Sequence, residues 1–226
     1  MKVVVFGASG MVGHGVLLEA LDAADVDEVV IVVRRPFSVR HPKLREVIHR
    51  DFTDFSTLPA GTFDDVDACF YCLGVSSAGM KEPEYRRVSY ELPLAAAKAL
   101  WPRNRDLVFT FVTGVGTDST GAGKVMWARV KGQAENALLE LMPTSFMFRP
   151  GGIIAERGVV SATPWLRRTY VVLSPVLHLM KLVAPRLVTT TSTIGQAMLQ
   201  AVRLRPTLRR LEVKDFELLA TGVAPT

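Results

Sequence analysis

Cysteine, histidine and long apolar runs are all scarce in this chain of 226 residues. The two cysteines, Cys69 and Cys72, and four scattered histidines supply neither a disulfide scaffold nor a metal-ligand cluster. The C-x-x-C spacing sits inside Ala68-Cys69-Phe70-Tyr71-Cys72-Leu73, which reads as a buried strand. Strand positions three apart point to opposite faces, so the pair reads as two buried thiols rather than a redox couple. No block of like charges accompanies the formal charge of +5, so nucleic-acid binding is not indicated. The positive excess suits a small polyanionic ligand equally well. The longest apolar stretch, Val171 to Ala184, is interrupted by Pro175, His178 and Lys181 and falls short of the ~20 residues a membrane span needs. It reads as a lid or surface helix; docking on a membrane or on a second copy, as in a homodimer, is the lesser reading. No secretory leader pattern precedes the first strand, since Lys2 leads straight into Val3, and a cytoplasmic location is the expectation.

What the chain does have is a strongly β-forming opening that ends in glycines: Val3-Val4-Val5-Phe6-Gly7-Ala8-Ser9-Gly10-Met11-Val12-Gly13. A helical pattern begins directly afterwards. A strand, a Gly-x-x-Gly-x-x-Gly turn and a helix N-terminus bring backbone close to a pyrophosphate and aim N–H groups at it. Gly7 permits the tight turn, Gly10 admits the phosphates, and Gly13 lets the helix press on the strand.

Strand and helix patterns then alternate. Met11 to about Ala23 has helical apolar spacing, Val29 to Val33 is a continuous β-branched run, and Leu44 to His49 is a weaker third strand. Ala68 to Leu73, Leu107 to Val112 and Ser145 to Phe148 read as further strands. Glu84 to Leu100 and Gly123 to Met142 read as long helices. Beyond Pro150 the regularity fades. A basic loop with Arg157, Arg167 and Arg168 precedes the apolar segment, and Thr189 to Thr193 enters a helix with Thr193 and Gln196 as a capping box. Leu211 to Leu218 suits a strand or a helix. With 49% apolar residues, the length suits one well-packed domain over 1–226. The pattern predicts an α/β doubly wound parallel sheet, a Rossmann fold, in which residues 151–226 cover the crevice at the carboxyl ends of the strands.

The residues after the second strand choose between dinucleotides. An NAD site places a carboxylate about 20 residues past the glycines. Here Arg34, Arg35 and Pro36 stand instead. A guanidinium forks onto a 2′-phosphate that a carboxylate would repel, so the sequence favours NADP(H) over NAD(H). Solvated charges at a strand end are the plainer reading of the same arginines. Ser9 adds a hydroxyl in the loop. Asp51, followed by Phe52, suits either an acceptor for the adenine amino group or a cap before Phe52 to Leu58. Gly74, after Cys72 and Leu73, lets backbone pass under the cofactor.

Gly7-x-x-Gly10-x-x-Gly13, Asp51-Phe52, Cys72-Leu73-Gly74, Lys131 and Arg149-Pro150-Gly151 together resemble an atypical short-chain dehydrogenase/reductase over most of the chain. Val88 to Leu94 and Val130 to Glu135 resemble the Tat-interacting-protein-like oxidoreductases, grouped with NAD-dependent epimerases and dehydratases; NmrA-like regulators share the fold. The resemblance implies cofactor contacts from Gly7, Ser9, Gly10, Met11, Val12, Gly13, Arg34, Arg35, Asp51, Phe52, Cys72, Leu73, Gly74, Lys131 and Pro150. It also implies a Ser or Thr after the fifth strand and a Tyr-x-x-x-Lys on the next helix, with the lysine holding the nicotinamide ribose. Thr113 and Lys131 occupy two of those positions, but Trp127 stands at the tyrosine's. An indole N–H is a donor that does not titrate usefully, and a positioned general acid contributes 10²–10⁴-fold. Thr113 is left as the group to polarise a carbonyl, and Trp127 as a packing residue or a wall over the nicotinamide. Tyr71, Tyr85, Tyr90 and Tyr170 are the remaining phenols. Two functions follow: an NADP(H)-dependent oxidoreductase or epimerase-like enzyme on a small carbonyl or hydroxyl substrate, or a non-catalytic NADP(H)-sensing protein.

Overall fold

The computed structural model describes residues 1–159 and 187–225. β1 (Lys2–Phe6), β2 (Glu28–Val33), β3 (Leu44–Ile48), β4 (Ala68–Tyr71), β5 (Val108–Val112), β6 (Phe146–Arg149) and β9 (Arg210–Glu212) form one seven-stranded sheet in the order β3-β2-β1-β4-β5-β6-β9. Every neighbouring pair is parallel. Both faces of such a sheet are covered, which is why β1 and β2 are nearly continuous β-branched runs. Alternation splits them: Val3 and Val5 enter one core, Val4 and Phe6 the other. The chain reverses direction across the sheet between β1 and β4, and that switch point opens a crevice at their carboxyl ends.

α1 (Met11–Asp22) covers one face together with α5 (Thr191–Leu204) and α6 (Val213–Ala220). α3 (Leu92–Leu100) and α4 (Met126–Leu141) cover the other. The long helix expected over Glu84 to Leu100 has a widened turn. α2 (Glu82–Arg86) runs through a π turn at Arg87–Glu91, where the Leu92 N–H donates to the Arg87 carbonyl, before α3 begins. Pro93 explains it: the residue has no N–H, and its ring crowds the carbonyl one turn back, so the ladder opens by one residue.

The described residues of the C-terminal third differ from the expected cover. β7 (Gly152–Ile154) and β8 (Val188–Thr190) pair as a small parallel sheet of their own. α5 packs on α1, with Arg203 paired to Asp25 and Gln196 donating to Glu19. β9 extends the main sheet, so Leu211 to Leu218 divides between a strand and a helix. These pieces complete the body of the fold because their apolar faces (Ile194, Met198, Leu211, Phe216) are spent on its core. Val171 to Ala184, Arg167, Arg168 and Tyr170 lie outside the described residues. Gln196 is also not a capping partner of Thr193: α5 is capped by Thr190, whose hydroxyl accepts from the Thr193 N–H at 3.0 Å. Cys69 is buried, Cys72 is half-buried, both thiols are free, and they face the two opposite cores as strand geometry requires.

Candidate functional site

The glycine turn lies at the switch point. Gly7 has φ of +82°, a left-handed backbone, and a Cβ there would meet the Leu73 nitrogen at 2.6 Å. At Gly13 a Cβ would lie 2.1 Å from the Gly7 carbonyl oxygen, so only glycine lets α1 sit this close to the turn. Gly10 is the N-cap of α1 in extended conformation, without a side-chain cap, and the first turn carries no acid. The N–H groups of Met11, Val12 and Gly13 belong to that first turn, where an α-helix has no acceptors of its own. Ser9 is exposed beside them. Oriented donors and a helix dipole, with no acid in the first turn, suit a phosphate group. β4 closes the other wall, with Cys72 donating its N–H to the Phe6 carbonyl, Leu73 against Gly7, and Gly74 exposed.

Arg34 and Arg35 follow the end of β2, are exposed, and make no ion pair among the described residues. No carboxylate occupies the end of β2. Asp51 takes the cap role of its two readings, accepting from the Thr53 N–H and hydroxyl at 2.9 and 2.6 Å. Those bonds hold its carboxyl below the usual carboxylate range. The cap closes a turn rather than a helix, because no helix forms over Phe52 to Leu58. Phe52 is buried edge-on against Phe6, which makes it a core residue.

On the far side of the crevice, β5, β6 and α4 bring together groups that the sequence kept apart. Glu135, fully buried on α4, accepts from Arg149 at the end of β6, Nε to Oε1 at 3.0 Å and a second guanidinium nitrogen to Oε2. Arg210 lies 3.4 Å from the same carboxylate. Thr113 donates its hydroxyl to Glu135 Oε1 at 2.7 Å. Arg149 also donates to Ser119 at 2.7 Å, tying in the loop before α4. The backbone of that loop lies so close to Gly132 that a Cβ there would meet the Asp118 carbonyl oxygen at 1.6 Å.

This geometry corrects one role. Thr113 has a single hydroxyl proton, and its hydroxyl lies against two acceptors, Glu135 and the Phe148 carbonyl at 3.2 Å. It therefore has none to give to a substrate carbonyl. Lys131 stands at the crevice end of α4, half-buried, and donates to the Thr113 carbonyl at 2.6 Å. Burial lowers its ammonium to about 8 while Glu135 pulls the other way. Two of its three N–H bonds remain for other partners. The Trp127 indole lies against the loop after β5, within 3.6 Å of the space a Gly116 Cβ would take and 4.0 Å of a Gly114 Cβ. Pro150 accepts from the Val115 N–H at 2.8 Å and so fixes that loop.

Three of the four phenols lie among the described residues. Tyr71 is buried between Phe6, Phe109 and Phe111, its hydroxyl without a partner and its pKa pushed up by burial. Tyr85 is buried, and Arg86 lies over the Tyr90 ring at 4.0 Å. The Glu135–Arg149 pair was the main omission of the sequence reading. Its signal was a carboxylate at the spacing of Ala128 and Leu138, which places it on the buried stripe of α4.

No family model matches the chain. A protein named FMP52, mitochondrial, from Eremothecium gossypii is 29% identical over 161 residues, 70% of this chain and 68% of that protein. Among solved structures, the Bordetella bronchiseptica enzyme WbmF in complex with NAD+ superposes with a TM-score of 0.62 at 15% identity, covering 89% of this chain and 69% of its own. A UDP-galactose 4-epimerase gives 0.64 at 14% identity, covering 98% and 82%. The chain shares the Rossmann fold of these structures. The expectation of a cytoplasmic location is overturned by the relatives: FMP52 proteins from several yeasts, 24 to 29% identical, are named as mitochondrial. A strand that starts at residue 2 describes folding and does not specify a compartment.

Proposed function

We propose that the chain binds NADP(H) in the crevice at β1 and β4 and acts as an oxidoreductase or epimerase-like protein on a small carbonyl or hydroxyl substrate. The observation that carries this reading is the open N-terminus of α1 beside the exposed Arg34 and Arg35, with no carboxylate at the end of β2. The fold shared with NAD-bound WbmF supports a nicotinamide dinucleotide; the two arginines support the phosphorylated form.

When bound, the nicotinamide supplies or takes the hydride. The protein's part is binding and orientation. Backbone N–H groups of Met11, Val12 and Gly13 hold the pyrophosphate, and Lys131 holds the nicotinamide ribose with the N–H bonds that Thr113 leaves over. Trp127 walls the nicotinamide end and excludes water. The exposed Val75, Val115 and Val125, on the loops after β4 and β5 and just before α4, favour a substrate with an apolar body. The proton on the substrate oxygen comes from a group other than Trp127 or Thr113.

A second reading rests on that same point. A glycine turn kept intact beside a Trp127 that cannot titrate and a Thr113 whose proton is committed is what a non-catalytic NADP(H) sensor would show. NADPH consumption with small ketones, aldehydes and quinones separates the two. Wild-type turnover that vanishes in Lys131→Ala supports the enzyme. Tight NADPH binding with no turnover across the panel supports the sensor.

A further inference from the structure

The segment carrying Arg34 and Arg35 is anchored at both ends. Upstream, the Val33 carbonyl accepts from the His49 N–H at 2.8 Å, which ends the β2–β3 ladder. Downstream, the Phe37 N–H donates to Glu46 Oε2 at 2.6 Å, a bond from the loop to a side chain in the middle of β3. Only Arg34, Arg35 and Pro36 lie between these anchors. Pro36 fixes its own φ and holds Arg35 extended. Phe37 is held further: its ring meets the His14 ring edge-on at 5.5 Å, and its carbonyl accepts from Arg40. His14 follows Gly13 on α1, so Phe37 links the glycine turn to the arginine segment.

Phe37 and Val39 of this loop pack against the core on the α1 face, but the packing is incomplete. The loop borders a hollow of about 460 Å³ lined by Val39, Arg40, His41, Pro42, Leu44 and Glu46. Glu46 has no ion-pair partner among the described residues. Its carboxylate thus serves the loop backbone, although a free carboxylate near this end of β2 would repel an adenosine phosphate.

We propose that Glu46 is a positioning residue for the adenosine 2′-phosphate: by holding the Phe37 N–H it sets the direction in which Arg34 and Arg35 leave β2. The proposal rests on the NADP(H) reading above. Without the bond, the two long side chains and their backbone are ordered at the moment of binding, and affinity falls by that ordering cost.

The test is titration of NADPH and NADH into wild type, Glu46→Ala and Glu46→Gln. Glu46→Ala lowers the NADPH-over-NADH affinity ratio about 10-fold, the cost of ordering one or two long side chains, while NADH affinity holds. Glu46→Gln keeps an oxygen acceptor for Phe37 and keeps the ratio to within about twofold. A ratio that rises in both variants would make Glu46 a repelling charge and overturn the proposal. So would an unchanged ratio in Glu46→Ala, or equal loss of both coenzymes. Should the alanine variant not fold, Glu46→Met, of similar length but without an acceptor for the Phe37 N–H, takes its place with the same expected loss and the same overturning results. Equal wild-type affinity for NADPH and NADH is a different failure: it removes the NADP(H) reading, and this proposal falls with it.

Discussion

Thr113 donates its hydroxyl proton to the buried Glu135 carboxylate at 2.7 Å, and the same residue's carbonyl receives Lys131 at 2.6 Å. One threonine therefore joins a buried ion pair on one side to the one lysine of the crevice end of α4 on the other. The position that related chemistry gives to a carbonyl-polarising hydroxyl is here part of the scaffold.

The Glu135–Arg149 pair should respond asymmetrically to mutation. Glu135→Leu leaves the Arg149 guanidinium buried and unpaired, a loss of about 3–5 kcal/mol. Adding Arg149→Met removes the more buried of the two guanidinium groups that Glu135 holds, Arg210 being 37% exposed, and should return at least half of that loss. Urea unfolding of both variants measures this. A double variant no more stable than the single one would contradict the assignment.

Lys131 predicts a pH dependence. Its folded value is about 8, against 10.5 for an ordinary lysine, because burial penalises the ammonium. Between those values the unfolded chain binds more protons than the folded one, so this group's contribution to stability rises as pH increases through the window. Unfolding of wild type should show that rise and Lys131→Met should lack it. Glu135 holds the value up, so Glu135→Gln should move the Lys131 titration, followed by NMR of the ¹³C-methylated amine, still lower.

The opening strand, glycine turn and first helix were legible because their local demands and the fold agree: β-branched runs for strands covered on both faces, then glycines where side chains would collide. Residues 151–226 were harder. Short pieces such as Arg210–Glu212 carry no periodicity, and only the place left beside β6 makes that one a strand. At the site, the place of Lys131 on a helix was legible, but the direction of the Thr113 hydroxyl was not. It depends on Glu135, 22 residues on, and a sequence does not display which face of a helix a distant strand will meet.

Gly13→Ala should damage both stability and coenzyme binding. The added methyl would lie 2.1 Å from the Gly7 carbonyl oxygen, a backbone atom with no rotamer to change. Overpacking of this kind costs about 1–3 kcal/mol or more. Thermal melts and NADPH fluorescence check it; a variant that melts and binds like wild type would show that the turn and helix are less closely packed than described.

Trp127→Tyr restores a titratable group one helical turn before Lys131. If turnover is limited by the missing acid, NADPH consumption with an aldehyde or ketone should rise by about 10²–10⁴-fold, the usual contribution of a positioned proton donor. No increase would place the limiting step elsewhere.

The most direct measurement is calorimetry of NADPH and NADH binding to wild type and to Arg34→Ala/Arg35→Ala. NADPH should bind wild type more tightly than NADH, and the double variant should lose that advantage while its NADH affinity stays the same. No heat from either coenzyme at millimolar concentration, or an advantage that survives without both guanidinium groups, would contradict the account.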